Sequence, residues 1–373
     1  MSPLNKIVVL ASYSGQGGVE VVTNNLCQGF INHGHEVDLL LVKKRGPHAS
    51  NIPNMVNQVK FNMSSTWLCL PELIWYLRKN KPAVILAAKH RGVMLALFAK
   101  SLAKVETKVV GQIHTNTTAT FEKKSPKKRS QRFNQMKRYY PSLDALIGVS
   151  AGVLDDIKLI TGVLPSHNTA LPNALFDDGI HEVALEDVKH PWLINKQIPV
   201  IMGAGRLTKQ KDFATLISAF ALASKQRNLR LILVGDGEEK DELISMIGKL
   251  QLNDRVDLVG FQKNLPAWLS RADCFVSSSA WEGLGNVIAE ALALGVPIVS
   301  TDCISGPRYI LEDGKLGQLV PIKDPTALSE AILNRLDAKW PNYEAAAKAS
   351  ANRFHLNNSA ESYIKFINSV ISS

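Results

Sequence analysis

Residues 274–301 contain a strand, a loop, a helix and a second strand in succession, with the sequence Cys274-Phe-Val-Ser-Ser-Ser-Ala-Trp-Glu282-Gly-Leu-Gly285-Asn-Val-Ile-Ala-Glu290-Ala-Leu-Ala-Leu-Gly295-Val-Pro-Ile298-Val-Ser-Thr301. The apolar run Cys274–Ser277 predicts a buried strand, and the apolar positions that follow have the spacing of a helix ending at Gly295. The run Ile298–Thr301 predicts the next strand. Two strands joined by a crossover helix predict a parallel sheet.

The same alternation of short apolar runs and helical segments recurs along the chain. The remaining candidate strands are Ile7–Ala11, Val37–Val42, Ala83–Ala87, Val109–His114, Ala145–Val149, Val200–Gly203, Leu231–Val234 and Val256–Val259. A chain of 373 residues is too long for one ordinary domain. We therefore predict an α/β protein with two doubly wound domains, residues 1–180 and 195–354, that face a central cleft. A linker within Leu175–Pro199 joins them, and a helix at about 355–373 packs back on the first domain.

Two carboxylates occupy the strand–loop–helix segment quoted above. Glu282 lies in the loop after the strand and Glu290 lies within the helix. If the helix begins near Gly285, its free amides and the positive end of its dipole favour a bound phosphate. Ionised carboxylates accept hydrogen bonds from the hydroxyls of a sugar or ribose. A helix with incidental acidic residues remains the alternative interpretation.

Two basic residues follow an earlier strand of the same half. The sequence Gly203-Ala-Gly205-Arg206-Leu-Thr-Lys-Gln-Lys211-Asp212 leads from the strand into the predicted helix Phe213–Ala223. Arg206 and Lys211 are suited to a diphosphate, the first as a planar fork and the second as a point charge. Surface charge is the competing interpretation for either residue alone. Together with the carboxylates, however, they predict a site for a nucleotide sugar.

These motifs resemble the retaining glycosyltransferases of family 4. The resemblance rests on the Glu-x7-Glu pattern from Glu282 to Glu290, the Gly-Arg-Leu-x3-Lys pattern from Gly205 to Lys211, Val234-Gly-Asp-Gly237, Gly260-Phe261 and the turn Gly17-Gly18. It covers nearly the whole chain. It implies the GT-B fold, in which two Rossmann-like domains face each other, and the later segment Ser300–Pro321 is similar to bacterial enzymes that use UDP-sugars to build lipid-linked or surface polysaccharides.

The resemblance also implies roles for the donor-site residues. Glu290 binds the ribose hydroxyls, Glu282 contacts the donor sugar, and Arg206 and Lys211 neutralise the diphosphate. The backbone around Phe261 to Lys263 holds the base, and Gly285 and Asn286 begin the helix that faces the phosphate. We expect neither a metal nor another cofactor, because two fixed cations and a helix terminus suffice for a departing diphosphate and the sequence has no Asp-x-Asp triplet.

The first half contributes a glycine-rich turn and a histidine. Gly17 and Gly18 follow the first strand, and the resemblance places them beside the donor phosphate and the acceptor. His114 ends a predicted strand and corresponds to a cleft histidine of the family, although Thr115 and Asn116 follow it where relatives often have an aspartate. Asn173, in Leu171-Pro-Asn-Ala174, is assigned only to the cleft rim.

The net charge of +10 lies entirely in the first half, since residues 1–196 hold 24 basic and 14 acidic residues. The stretch Lys123–Arg138 contains eight basic residues and no acidic residue. A solvated helix face is one interpretation. The other is a site for an anionic acceptor or an anionic membrane surface, and a lipid-diphosphate-linked saccharide satisfies both.

We therefore expect a metal-independent hexosyltransferase that moves a hexose or N-acetylhexosamine from a UDP-sugar to a lipid-linked saccharide in surface polysaccharide or glycan assembly. No apolar stretch has the length of a membrane span, so we expect a cytoplasmic protein, peripheral on the inner face of the cell membrane. The alternatives are a GDP- or ADP-sugar donor, a soluble acceptor, or an epimerase of the same fold. A basic nucleic-acid-binding protein is the alternative from another class; without a recognisable binding module, we expect no nucleic-acid partner.

Overall fold

The computed structural model describes residues 5–13, 18–44, 46–63, 65, 67–122, 124–337 and 342–373. The chain divides into two compact units. Unit 1 comprises Met1–Leu175 and Arg353–Ser373, and unit 2 comprises Phe176–Asn352. Among the described residues, no helix is both long enough and apolar enough to span a bilayer.

Unit 1 is built on a seven-stranded sheet in which every described pair of strands is parallel. Its strands are β1 (Lys6–Tyr13), β2 (Glu36–Lys44), β3 (Asn57–Lys60), β4 (Val84–Ala88), β5 (Lys108–Ile113), β6 (Ala145–Gly148) and β7 (His167–Ala170). Its first helices are α1 (Gly18–Asn32), α2 (Leu70–Asn80), α3 (Lys89–Ala103), α4 (Thr117–Phe121), α5 (Pro126–Tyr139) and α6 (Ala151–Thr161), with short 3-10 helices at Pro47–Ser50 and Tyr140–Ser142. The spatial order of the strands is β3-β2-β1-β4-β5-β6-β7.

Unit 2 repeats this plan with six parallel strands. The strands are β8 (Val200–Ala204), β9 (Arg230–Val234), β10 (Val256–Gly260), β11 (Cys274–Ser277), β12 (Ile298–Thr301) and β13 (Gln318–Val320), in the order β10-β9-β8-β11-β12-β13. The helices are α7 (Gly179–Ala184), α8 (Pro191–Ile194), α9 (Phe213–Gln226), α10 (Lys240–Lys249), α11 (Leu265–Leu269), α12 (Asn286–Ala293), α13 (Pro307–Ile310), α14 (Pro325–Asp337) and α15 (Tyr343–Ala351), with 3-10 helices at Glu312–Gly314 and Asn352–Phe354.

The predicted doubly wound α/β architecture is confirmed in both units. In each sheet the strand order reverses next to the first strand, between β1 and β4 in unit 1 and between β8 and β11 in unit 2. Helices that follow these neighbouring strands leave toward opposite faces of the sheet. The carboxyl ends of the strands at this reversal are therefore the expected place for ligands in each unit.

The predicted linker Leu175–Pro199 differs from the structure, because all of it after Leu175 belongs to unit 2. Helices α7 and α8 form within it, and α7 packs against α11. His190 is buried, lies 3.1 Å from Asp257 through Nε2, and packs edge-on against Trp192 and Trp268. Unit 2 therefore begins at Phe176 rather than at 195, because α7 and His190 pack against α11 of this unit.

The last helix, α16 (Leu356–Ile371), returns to unit 1 and packs against α1. The two helices approach so closely that a Cβ atom on Gly29 would lie 2.5 Å from the Cβ of Ala360. The Gln112 side chain on β5 donates a hydrogen bond of 2.7 Å to the hydroxyl of Tyr363. The buried face of α16 thus forms part of the unit 1 core.

Candidate active site

Three loops at the carboxyl ends of β8, β9 and β10 pack backbone against backbone. The amide of Gly235 donates to the carbonyl of Gly260 at 2.9 Å, and the amide of Gly205 donates to the carbonyl of Val234 at 3.0 Å. Gly235 has a φ of +142°, and a Cβ atom there would lie only 1.9 Å from the Gly205 carbonyl oxygen. No side chain therefore fits between these loops.

Gly235→Ala is expected to push the loop that carries Arg206 and Lys211 away from β9. We expect a loss of stability of about 2 kcal/mol, since backbone rather than a movable side chain stands in the way. Chemical denaturation measures this loss. Gly248→Ala is the matched control, because a Cβ at Gly248 meets no atom within 4 Å. Equal stability of the two variants would contradict this packing.

Lys211 and Glu282 form an ion pair at the centre of the unit 2 site. The Lys211 Nζ lies 2.5 Å from Glu282 Oε1, and the Glu282 side chain is only 7% exposed. The hydroxyl of Ser279 donates to the same carboxylate oxygen at 2.7 Å, and the amide of Gln210 donates to the other oxygen at 3.3 Å. The carboxylate is therefore held in one orientation by one cation and two neutral donors.

Backbone contacts fix the two loops that carry this pair. The amide of Ala280 donates to the carbonyl of Gln210 at 2.8 Å, and the hydroxyl of Ser278 donates to the carbonyl of Lys211 at 2.9 Å. The hydroxyl of Thr301 at the end of β12 donates to the carbonyl of Ser279 at 2.6 Å. The ends of β11 and β12 are thus tied to the loop after β8, and the ion pair sits on a rigid support.

Arg206 lies on the same loop but is exposed to solvent. It makes no ion pair within the described part of the chain. The adjacent residue, Leu207, is buried and anchors the loop through an amide bond of 3.0 Å to the carbonyl of Asp236. Arg206 therefore presents a guanidinium that is available to a ligand, whereas Lys211 is already partnered by a carboxylate.

Helix α12 begins where the sequence predicted, with Gly285 as its N-cap residue at a φ of +98°. Asn286 occupies its first turn and Glu290 its second. Burial raises the pKa of Glu290 from 4.5 to about 7, and the nearby Lys211 partly opposes this shift. The Glu290 carboxyl therefore changes charge near neutral pH, and the cation of the central ion pair acts on it electrostatically.

Phe261 directly follows β10, and its side chain is half exposed. The Gln262 side chain turns back and donates to the carbonyl of Val259 at 2.9 Å, while Lys263 is exposed. The neighbouring Gly260 packs against the β9 loop, as described above. The segment 261–263 thus lies at the carboxyl edge of the unit 2 sheet beside the glycine cluster.

In unit 1, His114 follows β5 directly, at the carboxyl edge of the sheet. Neither ring nitrogen meets a partner at hydrogen-bonding geometry among the described residues. Burial and the nearby Lys89 cation lower the pKa of His114 to about 3, although the Asn173 side chain beside the ring favours the charged form. His114 is therefore a neutral imidazole at physiological pH. Asn173 is buried against it.

The glycine turn of unit 1 is described only in part. Gly17 lies outside the described residues, and Gly18 is the first residue of α1. The buried carboxylate of Glu20 follows in the first turn of this helix, 3.6 Å from the ammonium of Lys89. Lys89 adopts a φ of +64° immediately after β4, at the strand reversal. The carboxyl edge of unit 1 thus gathers a neutral histidine, a lysine and a carboxylate.

Within the described ranges, no group of three or more His, Cys, Asp or Glu side chains is arranged to hold a metal ion. The polar groups of the two sites include carboxylates and fixed cations. Such groups bind hydroxyls and phosphate oxygens directly.

Family models match the two units separately. A model described as "Glycosyl transferases group 1" matches residues 186–353, and one described as "Glycosyltransferase Family 4" matches residues 16–175. The chain belongs to glycosyltransferase family 4. The boundary between the two matches agrees with the division of the structure at Leu175 and Phe176.

Two bacterial glycosyltransferases are among the relatives of this family 4 chain. It is 32% identical over 230 residues to the N-acetylgalactosamine-N,N'-diacetylbacillosaminyl-diphospho-undecaprenol 4-alpha-N-acetylgalactosaminyltransferase of Campylobacter jejuni. The aligned residues cover 61% of each chain. It is 25% identical over 335 residues to the amylovoran biosynthesis glycosyltransferase AmsD of Erwinia amylovora, which covers 89% of this chain and 90% of the relative. This chain spans less than two thirds of the length of the Campylobacter enzyme. The same holds for an archaeal glycosyltransferase that it matches over 150 residues.

The fold of this family 4 chain is similar to that of a solved GT-B glycosyltransferase. Anabaena Alr3699/HepE, crystallised in complex with UDP and glucose, superposes with a TM-score of 0.79 at 19% identity and covers 97% of this chain and 99% of its own. The predicted GT-B fold is therefore confirmed.

Several site residues were not predicted from the sequence. Gln210 and Ser279 hold the Glu282 carboxylate in unit 2, and Glu20 and Lys89 face each other in unit 1. The sequence signal that could have identified two of them was their position, because Ser279 and Lys89 each come two residues after a predicted strand. Asp156 gave no such signal: it is a helical residue that accepts from the amide of Thr117 at 2.6 Å and so fixes the loop after His114.

Proposed function

We propose that the protein transfers a hexose or N-acetylhexosamine from a UDP-sugar to a lipid-linked saccharide, with retention of the anomeric configuration. The observation that carries the proposal is the Lys211–Glu282 ion pair, which adjoins Glu290 on the helix that begins after Gly285. This arrangement offers a cation to a diphosphate and carboxylates to hydroxyls within one unit.

The donor half of the reaction follows from the charges of unit 2. Lys211 and the exposed Arg206 bind the diphosphate and stabilise the negative charge that grows on the leaving nucleotide. The amides of the first turn of α12, around Asn286, add the positive end of the helix dipole. These groups carry fixed charge into the site, so our proposal includes no metal.

The hydroxyl-binding groups divide between the nucleotide and the sugar. Ionised Glu290 accepts hydrogen bonds from the ribose hydroxyls. Glu282 accepts one from a hydroxyl of the donor sugar through its Oε2 atom, which the side-chain amide of Gln210 approaches only to 3.3 Å. The backbone of residues 261–263 holds the base at the strand edge. UDP in the crystals of the Anabaena protein supports the choice of donor.

The acceptor binds at the carboxyl edge of unit 1 in this proposal. His114, neutral because of its low pKa, contributes a hydrogen bond rather than a charge to an acceptor hydroxyl. Gly17 and Gly18 allow close approach of the backbone. The lipid-linked acceptor is supported by the name of the Campylobacter relative, and surface polysaccharide assembly is supported by that of the Erwinia relative.

Incubation with a panel of UDP-, GDP- and ADP-sugars tests the donor. We expect slow hydrolysis and thermal stabilisation with one UDP-sugar, since a ligand of the native state raises the melting temperature. Selective stabilisation by a GDP- or ADP-sugar would contradict the assignment of UDP. Stabilisation by none of the three classes would contradict the donor site itself.

The basic helix α5 supports a position at the inner membrane surface. Lys127, Lys128 and Lys137 are exposed on it, whereas Arg129 and Arg132 lie over the rings of Phe133 and Phe121. Met136 on α5 and Tyr140 directly after it are buried. Lys123, the first residue of the predicted basic stretch, lies outside the described residues.

Replacing Lys127, Lys128 and Lys137 by glutamate is expected to abolish most binding to anionic liposomes at low salt. Each basic residue near an anionic surface contributes about 1 kcal/mol, and reversal turns attraction into repulsion. Cosedimentation measures the bound fraction. The matched control replaces the exposed Lys225, Lys249 and Lys315 of unit 2, with the same change in net charge. Equal losses in both variants would show that α5 has no special role.

A further inference from the structure

In the described part of unit 1, four large apolar side chains on or just before helices α2 and α3 are at least half exposed. Two of them are tryptophans, which is unusual for a surface that faces only water. The set, which we call the tryptophan face, consists of Trp67 (50% exposed), Leu68 (55%), Trp75 (61%) and Leu102 (51%). Proteins that meet a lipid headgroup layer concentrate tryptophan at that depth, because the ring is apolar and its N–H is polar.

A chain of ring contacts joins the tryptophan face to the basic helix α5. The Trp67 ring packs edge-on against Phe98 of α3, with centroids 5.4 Å apart. Phe98 in turn packs against Tyr139 in the last turn of α5 at 5.2 Å, and Arg138 lies over the Tyr139 ring. The exposed tryptophan and the basic end of α5 are therefore parts of one continuous surface.

The second tryptophan is tied to the same surface by Arg78. This arginine, one turn after Trp75 on α2, donates to the carbonyls of Leu102 at 2.9 Å and Ala103 at 3.3 Å. The ends of α2 and α3 are thereby held together. Lys79 extends its ammonium to 4.7 Å from the Trp75 ring centroid, and a lysine of this kind can place its charge at the headgroups while its stem covers apolar surface.

The charge around the tryptophan face favours an anionic partner. Helix α5 carries no acidic residue. On α2 the acidic Glu72 is bound to the backbone and side chain of Asn62, and near α3 Asp144 is paired with Lys100. The charged groups that lie over rings of this surface, Lys79 over Trp75 and Arg138 over Tyr139, are basic. A partner with a negative surface and an apolar layer below it complements both properties.

We propose that Trp67 and Trp75 are interfacial anchors that enter the headgroup region of an anionic lipid bilayer, while α5 lies above the phosphates. This inference rests on the proposed function, because a lipid-linked acceptor requires the protein to work at a membrane. It goes beyond that function in assigning an insertion of aromatic rings in addition to electrostatic attraction. Adsorption by charge alone would be lost at high salt, whereas inserted rings retain part of the binding.

The test uses the full chain and vesicles of phosphatidylglycerol mixed with phosphatidylcholine. Wild type is expected to show a blue shift of tryptophan emission on binding, with part of the binding kept at high salt. The double variant Trp67→Ser with Trp75→Ser is expected to lose most of the shift and to bind about tenfold more weakly. Trp75→Ser alone, at the more exposed position, is expected to give an intermediate loss without a change in melting temperature.

The matched control is Met55→Ser with Leu159→Ser, which removes two apolar side chains of unit 1 that are 77% and 78% exposed. The control is expected to bind vesicles like wild type. Wild-type binding by the tryptophan variant, or an equal loss in the control, would overturn the proposal. Binding of a folded protein to the tryptophan face, with no blue shift of tryptophan emission on vesicles, would also overturn it.

Hydrolysis of the nucleotide sugar in vesicle-free buffer separates this inference from the proposed function. The tryptophan variant is expected to hydrolyse the donor at the wild-type rate, because neither ring belongs to the donor site. If wild type itself hydrolyses no nucleotide sugar, the proposed function fails, and the vesicle experiment still decides whether the tryptophan face enters a bilayer.

Discussion

Lys211→Ala is expected to lower the rate of sugar transfer by about 10²- to 10³-fold, the usual effect of removing one fixed group that stabilises charge in a transition state. The ammonium of Lys211 is the cation closest to the Glu282 carboxylate, and the proposal places it against the departing diphosphate. Steady-state kinetics with saturating nucleotide sugar measure the loss. Lys209→Ala removes an exposed lysine two residues away and is expected to retain wild-type activity.

The same substitution is expected to cost stability, because it leaves a buried carboxylate without its cation. The penalty for such a charge is about 3 kcal/mol, and Ser279 and Gln210 offset part of it. Adding Glu282→Gln should recover stability, since the amide needs no counter-ion, but should not recover activity. If the double variant regained both, Lys211 would act only as a structural partner of Glu282.

The affinity for the nucleotide sugar is expected to fall about tenfold between pH 8 and pH 6, because the pKa of Glu290 lies at about 7 and the ionised carboxylate is the better acceptor for ribose hydroxyls. Glu290→Gln should bind weakly and with little dependence on pH. Calorimetric titration with the intact nucleotide sugar measures both. Free nucleoside diphosphate is unsuitable, since its terminal phosphate itself titrates near pH 6.

The free protein should show the opposite dependence on pH. The pKa of Glu290 is raised from 4.5 to about 7 in the folded state, so this group stabilises the fold below about pH 4.5 and loses that contribution as pH rises through 7. Denaturation of wild type and of Glu290→Gln across this range isolates the effect. Glu330→Gln, at an exposed position on α14, should match wild type in both experiments.

The central strands could be predicted from the sequence, whereas three edge strands could not. The missed strands are β3 and β7, which form the two edges of the unit 1 sheet, and β13, which forms one edge of the unit 2 sheet. Strand β7, His167–Ala170, alternates between half-buried and exposed positions and contains two polar residues in its centre. An edge strand that faces water does not need the continuous apolar run that marks a strand buried on both faces, so its signal is lost in the surrounding loop.

The donor residues could be predicted by their position after strands, but their partnership could not. Lys211 and Glu282 are separated by 70 intervening residues, and only the order of the strands brings their loops together. The neutral state of His114 was equally hidden, because it depends on burial and on Lys89 at the end of another strand. Charge and pKa at such a site are properties of the assembled sheet.

The location of α16 has a consequence for synthesis on the ribosome. Unit 1 requires residues 353–373 to cover α1, where Gly29 meets Ala360. The first 175 residues therefore leave the ribosome with an apolar face that stays open until all of unit 2 has been translated. The N-terminal domain is the first to begin folding but the last to be completed, and its open apolar face is prone to aggregation during that interval.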